Sequence, residues 1–174
     1  MTSDLSTEAR QWRRHLHADP ETGFEEHRTA AFVAGLLADW GLEVVTGVGG
    51  TGVVATLARG DGGECIGLRA DMDALAITER EGRAHGSRTT GAMHACGHDG
   101  HMAMLLAAAR TLAHDGGFEG RVRFVFQPAE EHGRGAKAML DDGLLERFPM
   151  DAIYGVHNMP GIPAGDIHVR AGAI

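Results

Sequence analysis

Four short polar clusters carry residue types that can bind a metal and move a proton: Asp71-Met72-Asp73, His94-Ala95-Cys96-Gly97-His98-Asp99, Glu130-Glu131 and His157-Asn158. Cys96 and His98 flank a single glycine, so thiolate and imidazole can turn toward one point about 2.0–2.3 Å from each, as metal bonds require. Taken alone, such a pair can equally be a loop cysteine beside a surface histidine. Glu131 and His157 extend it to a mixed N/O/S donor set that suits Mn²⁺, Zn²⁺, Co²⁺ or Ni²⁺ without choosing among them. If Glu130-Glu131 is extended, its carboxylates point apart, and one can bind metal while the other faces the attacking water. That division suits hydrolysis, in which metal-bound water ionises near neutral pH, a carboxylate takes its proton and the hydroxide attacks an amide carbonyl. An isolated acidic pair is otherwise a solvated turn. Asp71 and Asp73 flank Met72 just beyond a strand, and only one is expected to face the metals directly while the other steadies a ligand or caps a turn.

Asp99 has two compatible readings, as a cap for the following helix and as a group that orients a neighbouring ligand. His94 and His101 flank the Cys96 pair and stand either behind a ligand or toward substrate. His15, His17, His27, His85, His114, His132 and His168 lack a partner spacing and read as mostly solvated. The chain has no Gly-x-Ser-x-Gly elbow, phosphate-binding glycine loop or zinc-finger spacing.

The elements that must position these clusters follow from periodicity. A helix is expected over 6–17, with Ser6 as N-cap, and a second over 24–40, stopped by Gly41. Strands are expected over 42–46, 52–58 and 65–70, separated by glycine turns, with 47–52 a hairpin turn. An irregular stretch, 79–92, leads to a helix over 100–113, a strand over 121–127, a helix over 135–145 and strands over 152–156 and 166–169. Strands alternating with helices after residue 64 predict an α/β domain whose largely parallel mixed sheet is flanked by helices. All four clusters then fall at the carboxyl edge of the sheet, where open α/β sheets hold ligands.

The length of 174 residues suits one domain, 1–174, with a single core. A net charge of −8 argues against nucleic-acid and anionic-membrane surfaces and favours a small-molecule partner. The start, Met1-Thr2-Ser3-Asp4, lacks the pattern of a leader, and the apolar run 102–109 is far short of the roughly 20 residues that span a bilayer. A cytoplasmic protein is the expectation. Cys65 and Cys96 sit in unlike surroundings, which argues against a disulfide between them.

The strings Leu68-Arg69-Ala70-Asp71-Met72-Asp73-Ala74-Leu75, Met93-His94-Ala95-Cys96-Gly97-His98-Asp99-Gly100-His101, Phe126-Gln127-Pro128-Ala129-Glu130-Glu131 and Gly155-Val156-His157-Asn158 closely resemble the metal-dependent amidohydrolases of the M20 peptidase family. The cysteine block is similar to the branch of hippurate hydrolases, N-acyl-L-amino acid amidohydrolases and plant auxin-conjugate hydrolases, as is the opening His15-Leu16-His17 through Pro20 to Glu26. The resemblance implies that Cys96, His98, Glu131 and His157 bind two divalent metal ions, that Glu130 is the general base, and that Asp71 and Asp73 lie close without being principal ligands. It implies hydrolysis of the amide bond of N-acyl amino acids. Ala76 stands where the family usually has proline. Family members are about twice as long, so the chain resembles an incomplete metallopeptidase-type catalytic domain without the inserted dimerisation domain. A further ligand histidine, the lid groups and the rest of the sheet would lie outside it. Two readings follow, an amidohydrolase, or a catalytically incomplete metal-binding or assembly fragment of one. A truncated sheet would also leave an exposed edge, from which self-association or poor stability is expected.

Overall fold

A computed structural model of the chain describes residues 3–172. Met1 and Thr2, where the reading for a leader begins, lie outside the described residues, as do Ala173 and Ile174. Among the described residues, no helix is long and apolar enough to cross a membrane.

Two helices, α1 (Ser3–Ala18) and α2 (His27–Asp39), precede three strands, β1 (Glu43–Val48), β2 (Gly52–Arg59) and β3 (Cys65–Asp71). They are followed by α3 (His98–Asp115), β4 (Gly120–Gln127), α4 (Gly135–Asp141), α5 (Leu144–Arg147) and β5 (Ala152–Gly155). The five strands form one sheet in the order β1-β2-β4-β3-β5. β4, β3 and β5 pair in parallel, whereas β2 is antiparallel to both β1 and β4. The sheet is therefore mixed, with β2 alone opposed to the other four strands. The reversal is built by the expected hairpin, where Gly49 and Gly50 both take positive φ.

Strand periodicity sorts the core into two layers. Val53, Ala55, Phe124 and Phe126 face α1, α2 and α3, packing with Leu16, Val33, Leu37, Met102 and Leu106. The alternate residues Val54 and Val125 face α4 and α5, packing with Met139 and Leu144. β2 and β4 are thus covered on both sides, which rigidifies the middle of the sheet.

The structure corrects several boundaries. Ser6 lies inside α1, which begins three residues earlier, and its hydroxyl accepts from Arg10 instead of capping. α2 starts at His27, because Phe24 holds a φ of 65° that a helix cannot contain. The expected helix 135–145 is two, broken at Gly143, whose φ is 79°. Residues 166–169 form no strand, since an apolar segment without a neighbouring strand gains no ladder.

The outer edge beyond β5 is exposed, with Tyr154 at 60% and Val156 at 64% accessibility. Both cysteines are free, as their surroundings suggested. Phe124 is fully buried between the sheet and the three larger helices. Its replacement by alanine is expected to cost about 3–5 kcal/mol in urea unfolding, the range for deleting a buried aromatic ring.

Candidate metal centre

The carboxyl ends of the parallel strands lie level. Asp71 at the end of β3 pairs with Gln127 at the end of β4, and Arg69 pairs with Gly155 at the end of β5. The chain leaving each strand carries one cluster, and α3 delivers His98 as its first residue. Gly97 precedes it with a φ of 91°, and a side chain there would collide with Asn158. The glycine thus fixes the loop and brings the Cys96 and His157 segments together, which is a stricter role than flexibility.

His98 is the centre of the arrangement and is completely buried. Its Nδ1–H donates to the carbonyl oxygen of Asp73 at 2.8 Å, leaving Nε2 to face the cluster. Around Nε2 stand Asp71 Oδ2 at 3.7 Å, Glu130 Oε2 at 3.8 Å and Glu131 Oε1 at 3.8 Å. Cys96, His98 and Glu131 each place a donor atom within 4.8 Å of the others, and Asp71, His98, His101 and His157 do the same. The two groups share His98. His157 donates from Nδ1 to the Asn158 carbonyl at 2.7 Å, and its Nε2 lies 3.5 Å from Cys96 Sγ.

Asp71 and Asp73 both turn to the cluster, correcting the expectation that only one faces it, because positions i and i+2 of an extended segment share a face. β3 ends at Asp71, the chain beyond it turns, and both carboxylates reach His98, Asp73 Oδ1 lying 3.4 Å from Nδ1. The glutamates also differ from the extended reading. They occupy a turn that follows Ala129, whose φ is 44°, and the Asp73 carboxylate accepts both their backbone N–H groups at 3.0 Å. Both side chains therefore converge on His98. The Ala129 N–H donates to Glu26, a fully buried carboxylate that also accepts from the Thr51 hydroxyl. Gly135 lies so close under this turn that a Cβ would overlap the Pro128 carbonyl oxygen.

The charges are arranged as for a cation. Burial raises the Asp71 carboxyl pKa, but the hydrogen bond from His101 and the charges of His98 and Arg69 outweigh it and bring it to about 2. Burial opposes a charge on His98, yet the Asp73 hydrogen bond and the charges of Asp71 and Asp73 raise its pKa. Burial, then Glu131 and further acidic groups, push the Cys96 thiol up to about 11. A bound cation reverses that field and favours thiolate. His98 Nε2 and Glu131 Oε1 are buried side-chain atoms with no hydrogen-bond partner. Buried polar atoms without partners are costly, and two aimed into one cluster of S, N and O donors fit a metal ion.

Other residues lie behind the cluster. His101 is buried and ties Asp71 to the His157 segment, with Nδ1 at 2.6 Å from Asp71 Oδ1 and Nε2 at 2.5 Å from Asn158 Oδ1. Asp99 does not cap α3, whose N-cap is Gly97; it instead lies 2.9 Å from His17 Nδ1. His17 is thus not a solvated histidine. Its partner lies 82 positions away, beyond any local spacing signal. Glu26 likewise escaped the sequence reading, since only the folded chain brings it to Ala129.

This edge, built from a mixed sheet and a Cys/His/Glu cluster, defines a class. Residues 67–172, more than half of the chain, match the profile of peptidase family M20/M25/M40, and the chain belongs to that family. It is 46% identical over 171 residues to the hippurate hydrolase of Campylobacter jejuni, covering 98% of this chain and 44% of that protein. It is 43% identical over 163 residues to the N-acetyl-L-cysteine deacetylase of Bacillus subtilis, covering 93% of this chain and 39% of that protein. Among solved structures it is similar to the Bacillus subtilis YXEP protein, described as a dinuclear metal-binding peptidase of the M20 family. That match has a TM-score of 0.87 and 37% identity, and covers 94% of this chain and 45% of that one. The chain therefore spans less than half the length of these relatives.

Because the Asp73 carboxylate accepts both glutamate amides, Asp73→Asn, which leaves the backbone bond to His98 in place, is expected to weaken divalent-metal binding about 10–100-fold while the chain stays folded. Calorimetric titration of Mn²⁺, with circular dichroism for the fold, measures both.

Proposed function

We propose that this chain is the metal-binding portion of an amidohydrolase that cleaves the amide bond of N-acyl amino acids. Cys96, His98, Glu131 and His157 hold two divalent ions, and Glu130 is the general base. The observation that carries the reading is the Cys96, His98 and Glu131 donor group, with His157 Nε2 3.5 Å from Cys96 Sγ and with His98 Nε2 and Glu131 Oε1 left unpartnered. His101 has both ring nitrogens engaged, and Asp71 bonds His101 and Arg69, so both serve to hold ligands in place. The ions would polarise the amide carbonyl and acidify water.

Glu130 is the more accessible glutamate, its side chain 39% exposed against 22% for Glu131. Its carboxylate takes the proton of the attacking water as the new C–O bond forms. The C–N bond then breaks, and Glu130 returns the proton to the departing nitrogen, leaving a carboxylic acid and a free amino group. The names of the hippurate hydrolase and N-acetyl-L-cysteine deacetylase relatives support an N-acyl amino acid as substrate.

A second reading is favoured by the chain's 44% share of the hippurate hydrolase. In it, the 174 residues bind metal but need a C-terminal half, or self-association at the exposed β5 edge, before turnover.

Purified chain supplied with Mn²⁺ or Zn²⁺ is expected to release free amino acid from a panel of N-acetyl and N-benzoyl amino acids. Glu130→Gln should lose roughly 10²–10⁴-fold of that rate while keeping its metal, the range for removing a general base. Metal binding without turnover in the unchanged chain would select the second reading, and no metal binding would overturn both.

A further inference from the structure

The segment between residues 79 and 99 begins as an irregular loop and ends on the cysteine and histidine of the metal centre. One imidazole joins its two ends. His17, in the last turn of α1, places Nδ1 2.9 Å from Asp99 Oδ2 and Nε2 3.2 Å from Glu79 Oε2. All three side chains are largely buried, at 13%, 1% and 5% exposure for His17, Asp99 and Glu79.

Each end of this bridge is tied into the site. Asp99 follows His98 directly in the first turn of α3, so the carboxylate that His17 grips is rigidly coupled to the ligand's backbone. Glu79 accepts the Ser87 backbone N–H at 2.6 Å, and the Ser87 hydroxyl donates to the Ala92 carbonyl at 2.8 Å. That chain of bonds reaches the strand-like bridge between Leu75 and Met93, three residues before Cys96. The loop also rests on the end of α1 through the Arg88 N–H, which donates to the Ala18 carbonyl at 2.8 Å. Arg13, one turn earlier on α1, also contacts Asp99 Oδ2, but its side chain is 59% exposed and the pair is screened by solvent. The buried hold on Asp99 is therefore that of His17.

We propose that His17 is a positioning residue for the metal centre: through its buried hold on Asp99, with its ring oriented by Glu79, it sets the first turn of α3, and with it His98, relative to Cys96. The proposal rests on the metal-hydrolase reading. It assigns to α1, which contributes no donor to the cluster, the task of holding the first turn of α3 in place. Supporting groups of this kind tune metal affinity because a ligand held at the wrong angle must reorient on binding.

The test uses two variants that divide the imidazole. His17→Asn keeps an N–H donor at the position of Nδ1, toward Asp99, and cannot reach Glu79. His17→Gln presents its amide near the position of Nε2, toward Glu79, and releases Asp99. The 174-residue chain is titrated with Co²⁺, and the visible spectrum reports both affinity and the thiolate-to-metal band of Cys96. Thermal unfolding of the metal-free protein is followed in parallel. His17→Gln is expected to bind Co²⁺ about 10–100-fold more weakly, with an altered band. His17→Asn should stay close to the unchanged protein, even though both variants lose thermal stability. Equal affinities and spectra in the two variants would overturn the proposal, including the case in which stability falls in both. Failure of the unchanged chain to bind Co²⁺ would overturn the metal-hydrolase reading, and the proposal with it.

Discussion

Asp73 makes the contact on which the site depends. Its carboxylate accepts the backbone amides of Glu130 and Glu131, and its carbonyl oxygen accepts Nδ1–H of His98. A single residue, two positions beyond the end of β3, therefore joins the turn after β4 to the first residue of α3. Neither partner is close to it in sequence, and the parallel register of β3 and β4 brings them level. The alternation of large apolar residues in β4, Phe124 and Phe126 to one face and Val125 to the other, holds that register against the helices on both sides. Packing thus fixes the edge to within a residue, and hydrogen bonding fixes the side chains that stand on it.

The arrangement concentrates negative charge. Asp71, Asp73, Glu130 and Glu131 all stand around one buried imidazole. Two like charges about 4 Å apart repel by roughly 4 kcal/mol at an effective dielectric near 20, so several together oppose folding unless a cation offsets them. His98, with its raised pKa, can supply part of that positive charge, and Arg69 beside Asp71 supplies more. The unpartnered His98 Nε2 and Glu131 Oε1 mark where the compensation is incomplete. Charge clustering and missing hydrogen bonds are separate costs, and one divalent ion at this place would relieve both.

How far the sequence spoke for itself depended on the range of the signal. Runs such as Cys65–Asp71 and Gly120–Gln127 announce strands by local periodicity, and the polar residues that follow them lie at the sheet edge. Where the chain turns against its local pattern, the reading went astray. Glu130 and Glu131 point the same way because they sit in a turn after Ala129, whose N–H is held by the buried Glu26 and whose following amides are held by Asp73, both far along the chain. His17 is indistinguishable in sequence from a solvated histidine, because its partner Asp99 is brought to it only by the packing of α1 against α3, whereas His101 was marked by its place beside the Cys96 pair. The antiparallel entry of β2 was legible only as a glycine turn, since strand order is a property of the whole sheet.

In the proposed function Cys96, His98, Glu131 and His157 form one metal centre at the carboxyl edge of the sheet. Anomalous diffraction from crystals of the chain grown with Zn²⁺ locates the ions. Strong peaks are expected enclosed by these four side chains, with His98 Nε2 and Glu131 Oε1 drawn onto them. Zinc located elsewhere on the surface, with His98 Nε2 still unpartnered, would contradict it.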